Sequence, residues 1–213
     1  MKALSSYEKL RPALATGDVI AFSGNGRISG AIKWMTHSCV SHVGIVVRRQ
    51  LEDARGIDFV DVAEAAMDGP KVGVVTHRLS DCVEQYDGGV WWCPLSPGNR
   101  ARLDAEALGS WLFRSLGRGY NFLGAIRAGL GIATSEAQHE SDSLFFCSEL
   151  VVRALMAGGV LDSRLSPEGW TPRDVVAARL YGPLVQMSGA SQSLPGYSLL
   201  DPSECDRQAL ARW

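Results

Sequence analysis

A cysteine at the predicted start of a helix is the first candidate for chemistry in this sequence. Cys147 lies within the apolar stretch 144–152, which is typical of a helix that begins close to the cysteine. A helix N-terminus carries partial positive charge and unpaired backbone N–H groups, and both favour a thiolate over a thiol. The same N–H groups can bind the oxyanion that forms when a nucleophile attacks a carbonyl. Cys147 is therefore the candidate nucleophile.

A general base and a residue that orients it are predicted on two strands. His42 precedes the β-branched run 43–47, and strand alternation places it on the same face as Gly44. Glu64 follows alternating valines on the next strand, so its carboxylate is expected on a buried face, where it needs a partner. We predict that Glu64 fixes the tautomer and orientation of the His42 ring, and that His42 meets Cys147 in the fold.

Each of these residues also has a purely structural explanation. Cysteine is among the residues most often buried, so Cys147 taken alone fits an ordinary core position. His42 could be satisfied locally by Ser41 or by a backbone carbonyl. The pattern His37-x-Cys39-x-x-His42 also suggests a metal cluster, but no fourth ligand follows at a convincing spacing. We therefore predict no metal and no other cofactor.

The composition limits the class of protein. The chain has 213 residues, 46% of them hydrophobic, and a formal net charge of -2, which fits one packed domain. No basic stripe with interleaved aromatic residues occurs, which argues against a nucleic-acid partner. The five cysteines are irregularly spaced without a C-x-x-C pair, as expected for free thiols in a reducing compartment.

Membrane and export signals are not evident in the sequence. The apolar runs are far shorter than the roughly 20 residues that a transmembrane helix needs. The N-terminal residues lack the apolar core of a signal peptide. We therefore expect no transmembrane segment and a cytoplasmic location, unless another route exports the protein.

Hydrophobic periodicity predicts one α+β domain over residues 1–187, followed by a loosely ordered tail over 188–213. A turn at 67–70 predicts a hairpin between two of the strands. The predicted strands are 19–22, 43–47, 59–65, 72–76, 90–95 and 184–187. The predicted helices are 5–14, 27–37, 79–86, 99–116, 121–130, 147–156 and 172–178, the last with Thr171 as its N-cap, and a polar loop is predicted at 133–143.

Four short segments, taken in chain order, resemble a known family. They are Gly17-Asp18-Val19-Ile20, Ser41-His42-Val43-Gly44-Ile45-Val46, Val62-Ala63-Glu64-Ala65 and Phe146-Cys147-Ser148-Glu149-Leu150-Val151. Over roughly residues 15–180, the chain resembles the circularly permuted branch of the NlpC/p60 papain-like superfamily, and most closely the YaeF/YiiX-like permuted amidases. In that branch the histidine strand precedes the cysteine helix, as it does here.

The resemblance implies an antiparallel sheet or small barrel packed against helices, with the catalytic cysteine at a helix N-terminus. By motif, it implies Cys147 as nucleophile, His42 as general base and acid, and Glu64 as the orienting residue. The segment Arg118-Gly119-Tyr120-Asn121-Phe122 looks like a Gly-x-x-Tyr-Asp-like segment of the family, with Asn121 where an acid is common. It implies that Tyr120 lines the site, and Phe146 and Ser148 are further substrate-binding candidates beside the nucleophile.

The implied function is a cysteine hydrolase that cleaves an amide or peptide bond. Relatives of this kind also include deamidases, peptidoglycan peptidases, and lipid acyl hydrolases or acyltransferases, so the substrate is a peptide, a small amide or an acyl lipid. An acyl chain could be bound by Trp91, Trp92, Trp111 and Trp170, although aromatic residues more often lie in cores. A non-catalytic binding module that retains the fold is the other alternative, and the intact set of Cys147, His42 and Glu64 argues against it.

Overall fold

The structure is a computed structural model, and it describes residues 7–52, 56, 58–68, 71–117 and 147–211. It is an α+β fold built on an open antiparallel sheet, as the sequence predicts at this level. The six strands lie in the order β4-β3-β2-β1-β5-β6. Their bounds are β1 Val19–Gly24, β2 His42–Glu52, β3 Asp58–Asp68, β4 Lys71–Arg78, β5 Gly88–Cys93 and β6 Val185–Ser188.

Helices connect and cover these strands. The N-terminal segment is helical at 7–10 and continues as the 3-10 helix Arg11–Ala13. The longer described helices are α1 Arg27–Thr36, α2 Leu79–Gln85, α3 Pro97–Arg102, α4 Ala105–Ser115, α5 Cys147–Ala157, α6 Pro172–Ala177 and α7 Pro202–Leu210. At α6 the predicted N-cap is present, because Thr171 and Asp174 form a reciprocal capping box. The single helix predicted over 99–116 is instead divided, since Asp104 accepts a hydrogen bond from the Ala107 amide and so begins α4.

The two faces of the sheet are both buried. Helix α5 packs on β2 and β3, and α4 and α6 pack beside it. The core on that face includes Val43, Ile45, Ala63, Leu108, Leu150 and Val175. The opposite face is covered by the N-terminal segment and α2, with a core that includes Tyr7, Leu14, Phe22, Val46, Val62 and Leu79. Burial on both faces explains why the strands are nearly continuous apolar runs.

The C-terminal segment differs from the loosely ordered tail that the sequence predicts for residues 188–213. Leu194, Cys205 and Ala209 are buried in the core on the α5 face. The Cys205 thiol also lies 3.6 Å from the Asp174 carbonyl oxygen. Helix α7 buries a narrow edge through two residues spaced four apart, so its sequence lacks the broad apolar stripe that would identify a packed helix.

Some predictions fall on residues that the structure does not describe. The helix predicted at 121–130 and the loop predicted at 133–143 lie outside the described residues, as does the first part of the helix predicted at 5–14. Within the described ranges, no helix combines the length and the apolar character that crossing a bilayer requires.

A buried carboxylate ties the start of β1 to the chain around it. Asp18 accepts hydrogen bonds from the Trp92 indole and from the Ala15 and Leu95 amides, each at 2.9 Å. The Arg100 guanidinium also pairs with it. These donors satisfy a carboxylate that is almost fully buried, which would otherwise be costly.

We expect Asp18→Ala to lower the free energy of unfolding by about 3 kcal/mol, because it leaves several donors and a guanidinium without their acceptor. Urea denaturation measures this loss. The control is Asp162→Ala, which removes an exposed ion pair with Arg164 and should leave the unfolding midpoint unchanged. An equal midpoint in the two variants would contradict the role of Asp18.

Candidate active site

The pairing of β2 with β3 brings His42 next to Glu64. Ile45 lies opposite Ala63, so Gly44 lies opposite Glu64, and the side chains of His42 and Glu64 project from the same face. His42 Nε2 and Glu64 Oε2 are 2.6 Å apart. The His42 side chain is 22% exposed and that of Glu64 is 12% exposed. The structure therefore places the predicted base and its predicted orienting residue in a short, largely buried hydrogen bond.

Cys147 is the first described residue of α5, and it lies against the start of β2. Its side chain is hydrogen-bonded to the His42 ring. Because Nε2 of that ring is bonded to Glu64, Nδ1 is the nitrogen that remains for the sulfur. The backbone amides of Val43 and Ser148 also hydrogen-bond the sulfur. A continuous chain of contacts thus runs from Cys147 through His42 to Glu64.

The electrostatics of this chain favour a separated charge pair. Burial raises the pKa of Cys147, but the adjacent His42 and the hydrogen bonds to the sulfur outweigh it and hold the pKa of the thiol below its usual value. Burial lowers the pKa of His42, but Cys147 and Glu64 outweigh it and raise this pKa above its usual value. The two groups titrate as a pair, and each favours the charged form of the other.

Glu64 completes this pattern as the negative charge on the far side of the imidazolium. Burial raises the pKa of Glu64, but the hydrogen bond and the charge of His42, together with the charge of His77, lower it below its usual value. The carboxylate is therefore ionised at neutral pH. It can stabilise a proton on His42 without itself accepting that proton.

Gly44 permits the close packing of this site. A Cβ added at Gly44 would lie 2.5 Å from Val62 Cγ2, 3.1 Å from the Ala63 carbonyl oxygen and 3.4 Å from Glu64 Cβ. The sequence suggests that Gly44 leaves space where a ligand or another backbone could approach. In the structure, β3 and its side chains occupy that space.

His77 is a contact of the site that the sequence reasoning missed. His77 Nε2 lies 3.4 Å from Glu64 Oε1, the carboxylate oxygen that His42 does not use. The predicted hairpin between the strands 59–65 and 72–76 already indicates that His77 lies near Glu64. The antiparallel register of β3 with β4 pairs Val62 with His77, and this puts His77 diagonally beside Glu64.

Aromatic residues form the next layer around His42. The rings of Phe22 and His42 have centroids 5.5 Å apart, and those of Phe22 and Tyr86 are 4.9 Å apart. Burial raises the pKa of Tyr86 to about 12, so its hydroxyl stays protonated at neutral pH. Burial, with Glu64 nearby, raises the pKa of Cys82 to about 12 as well. Cys82 therefore stays a thiol where Cys147 favours the thiolate.

Of the three predicted substrate-binding residues, the structure describes Ser148 alone. Tyr120 and Phe146 lie outside the described residues. The Ser148 side chain is buried and donates a hydrogen bond to the Trp170 carbonyl oxygen, so its hydroxyl is committed to packing α5 against the neighbouring loop. Its backbone amide is the part of Ser148 that contacts the Cys147 sulfur.

No group of three or more His, Cys, Asp and Glu side chains is arranged to hold a metal ion in the described part of the chain. That part includes His37, Cys39 and His42, the residues of the metal-like sequence pattern.

No protein-family model matches the sequence. No curated protein sequence matches it either. Among solved structures, the chain is similar to the crystal structure of the metalloprotein YiiX from Escherichia coli O157:H7. The match has 23% sequence identity and a TM-score of 0.48, and it covers 70% of this chain and 67% of YiiX. Membership of the permuted papain-like superfamily stays a prediction.

We expect Gly44→Ala to lower the free energy of unfolding by about 1–3 kcal/mol, because the added methyl group overpacks Val62 and Glu64. The matched control is Gly109→Ala inside α4, where an added Cβ meets nothing within 4 Å. That change should raise the free energy of unfolding by roughly 0.5–1 kcal/mol. Chemical denaturation of the two variants gives both values, and a neutral Gly44→Ala would contradict the packing described here.

Proposed function

We propose that this protein is a cysteine hydrolase that cleaves an amide or peptide bond through an acyl-enzyme on Cys147. The observation that carries the proposal is the hydrogen-bonded chain from Cys147 through His42 to Glu64, in which the pKa of the thiol is lowered. An activated thiol, a base in contact with it and a third group that orients the base are the parts that nucleophilic catalysis requires. We also propose that the fold is the permuted papain-like one, which supplies these parts in this chain order.

The first half of the proposed reaction forms a thioester. The Cys147 thiolate attacks the carbonyl carbon, and the carbonyl π electrons move onto oxygen to give a tetrahedral oxyanion. The start of α5, where the Ser148 amide already contacts the sulfur, is the proposed position for oxyanion stabilisation. The intermediate collapses as the C–N bond breaks, and the His42 imidazolium gives its proton to the leaving amine.

The second half releases the acyl group. Neutral His42 takes a proton from water, and the resulting hydroxide equivalent attacks the thioester carbonyl. Collapse of this second tetrahedral intermediate expels the Cys147 thiolate and yields a carboxylic acid, with His42 again protonated. Glu64 keeps its negative charge throughout and stabilises the imidazolium in both halves.

The tryptophans bear on the choice between an amide and an acyl-lipid substrate. Trp111 is partly buried against the core on the α5 face, and Trp91, Trp92 and Trp170 are buried in the two cores. The indole N–H groups of the last three donate to the Gln192 carbonyl, to Asp18 and to Asp206 respectively. Side chains committed in this way support the core and do not offer walls for an acyl chain. The proposal is therefore an amide substrate, in the cytoplasmic location that the sequence predicts.

We expect an electrophilic thiol probe to label Cys147 at neutral pH, and Cys147→Ala to abolish that labelling, because the thiolate there is stabilised by His42. Peptide mass spectrometry locates the label. Cys82→Ala and Cys93→Ala are the matched controls, since burial raises the pKa of both thiols and their removal should leave labelling intact.

The same variants test turnover. Native protein should release amine from short amide substrates, and both Cys147→Ala and His42→Ala should lower the rate by at least about a hundredfold. Labelling that persists in Cys147→Ala would contradict the assignment of Cys147 as the nucleophile. Turnover of long-chain acyl esters in place of short amides, lost in His42→Ala, would replace the amide proposal with an acyl hydrolase.

A further inference from the structure

Three strands carry a diagonal row of polar side chains across an otherwise apolar face of the sheet. His42 opens β2, Glu64 lies in β3 diagonal to it, and His77 lies in β4 diagonal to Glu64 on the other side. Val62 and Val46 project from the same face and belong to its core. A charged row is costly on such a face unless its members satisfy one another.

The row is satisfied in one specific way. Glu64 Oε2 lies 2.6 Å from His42 Nε2, and Glu64 Oε1 lies 3.4 Å from His77 Nε2. Each carboxylate oxygen thus faces one histidine. The His77 side chain is 25% exposed and that of Glu64 is 12% exposed. His77 therefore forms a solvent-facing end of the row, and Glu64 lies in its interior.

A carboxylate with a donor at one oxygen alone can rotate about its last torsion, since that torsion is broad. A second donor on the other oxygen removes that freedom and also favours the ionised form. The other titratable groups that act on this region are Cys82 from α2 and Tyr86 from the segment after it. The pKa values of both are raised, so neither supplies a charge at neutral pH. His77 is therefore the group beside His42 that holds the carboxylate.

We propose that His77 is a positioning residue of the active site: it holds Glu64 through the carboxylate oxygen that His42 does not use, and so fixes the His42 ring against Cys147. The inference rests on the proposed function and deepens it by extending the chain of contacts from three residues to four. His77 does not touch the reacting atoms.

The test follows the alkylation of Cys147 by iodoacetamide as a function of pH, which requires no knowledge of the substrate. His77→Phe keeps a ring of similar size but removes the donor, and His77→Gln keeps an N–H donor. We expect His77→Phe to move the midpoint of the alkylation profile upward by about one pH unit, which corresponds to a roughly tenfold weaker preference for the thiolate. His77→Gln should restore most of the native profile.

Two further variants separate positioning from general damage. In the background of Glu64→Gln, adding His77→Phe should move the midpoint no further, because the two residues act through one contact. His37→Asn, which changes the exposed histidine at the end of α1, should leave the profile at its native position. Thermal unfolding of each variant checks that it is folded.

Each outcome decides between the two proposals. A native midpoint in folded His77→Phe, with Cys147 still the reactive thiol, overturns the inference about His77 and leaves the proposed function standing. Equal shifts in His77→Phe and His77→Gln also overturn it, because the contact of an N–H donor with Glu64 Oε1 would then not be the cause. If Cys147 of the native protein reacts no faster than Cys82, the proposed function fails and the inference fails with it.

Discussion

The hydrogen bond between His42 and Glu64 is the interaction on which the rest of the site depends. A carboxylate inside a sheet that is covered on both faces must be paired, because an unpaired buried charge is very costly. Here the partner is an imidazole on the neighbouring strand, 2.6 Å away. The hydrogen bond that satisfies the buried carboxylate therefore also fixes the His42 ring in one orientation.

This pairing determines what Cys147 can be. Burial alone would leave the sulfur as a neutral thiol, as it does for Cys82 and Cys93. The difference at Cys147 is a ring that is itself held by a carboxylate and is therefore ready to carry a positive charge. The sulfur belongs to the core on the α5 face, whereas the carboxylate belongs to the opposite face. The Cys147 sulfur and the Glu64 carboxylate are linked through the His42 ring, which contacts both because His42 is the first residue of β2.

The three residues of the contact chain from Cys147 to Glu64 could be predicted from the sequence, because each lies in a recognisable local sequence pattern. A cysteine at the start of an apolar helix, a histidine before a β-branched run and a glutamate in register with buried valines identify Cys147, His42 and Glu64. Their proximity is a property of strand pairing and helix packing, which no short segment encodes. His77 was missed because its only signature is the hairpin register, and that register becomes informative once Glu64 has been singled out.

The elements that were predicted less well share a physical cause. The hydrophobic spacing over 99–116 is typical of one continuous helix, but the Asp104 side chain caps a new helix within it. One capping residue ends the first helix without changing the spacing of the apolar residues, so the spacing does not reveal the break. The C-terminal segment looks solvated because α7 buries only Cys205 and Ala209, a strip too narrow to dominate its composition. In both places the decisive contacts are made by one or two side chains.

The proposed function depends on a Cys147 thiolate that is stabilised by His42, which Glu64 holds in place. The most direct measurement is a pH titration of the ultraviolet absorbance of the thiolate, taken as the difference between the native protein and Cys147→Ser. We predict a midpoint well below the ordinary cysteine value of about 8.5. A midpoint at or above that value would contradict the proposed function.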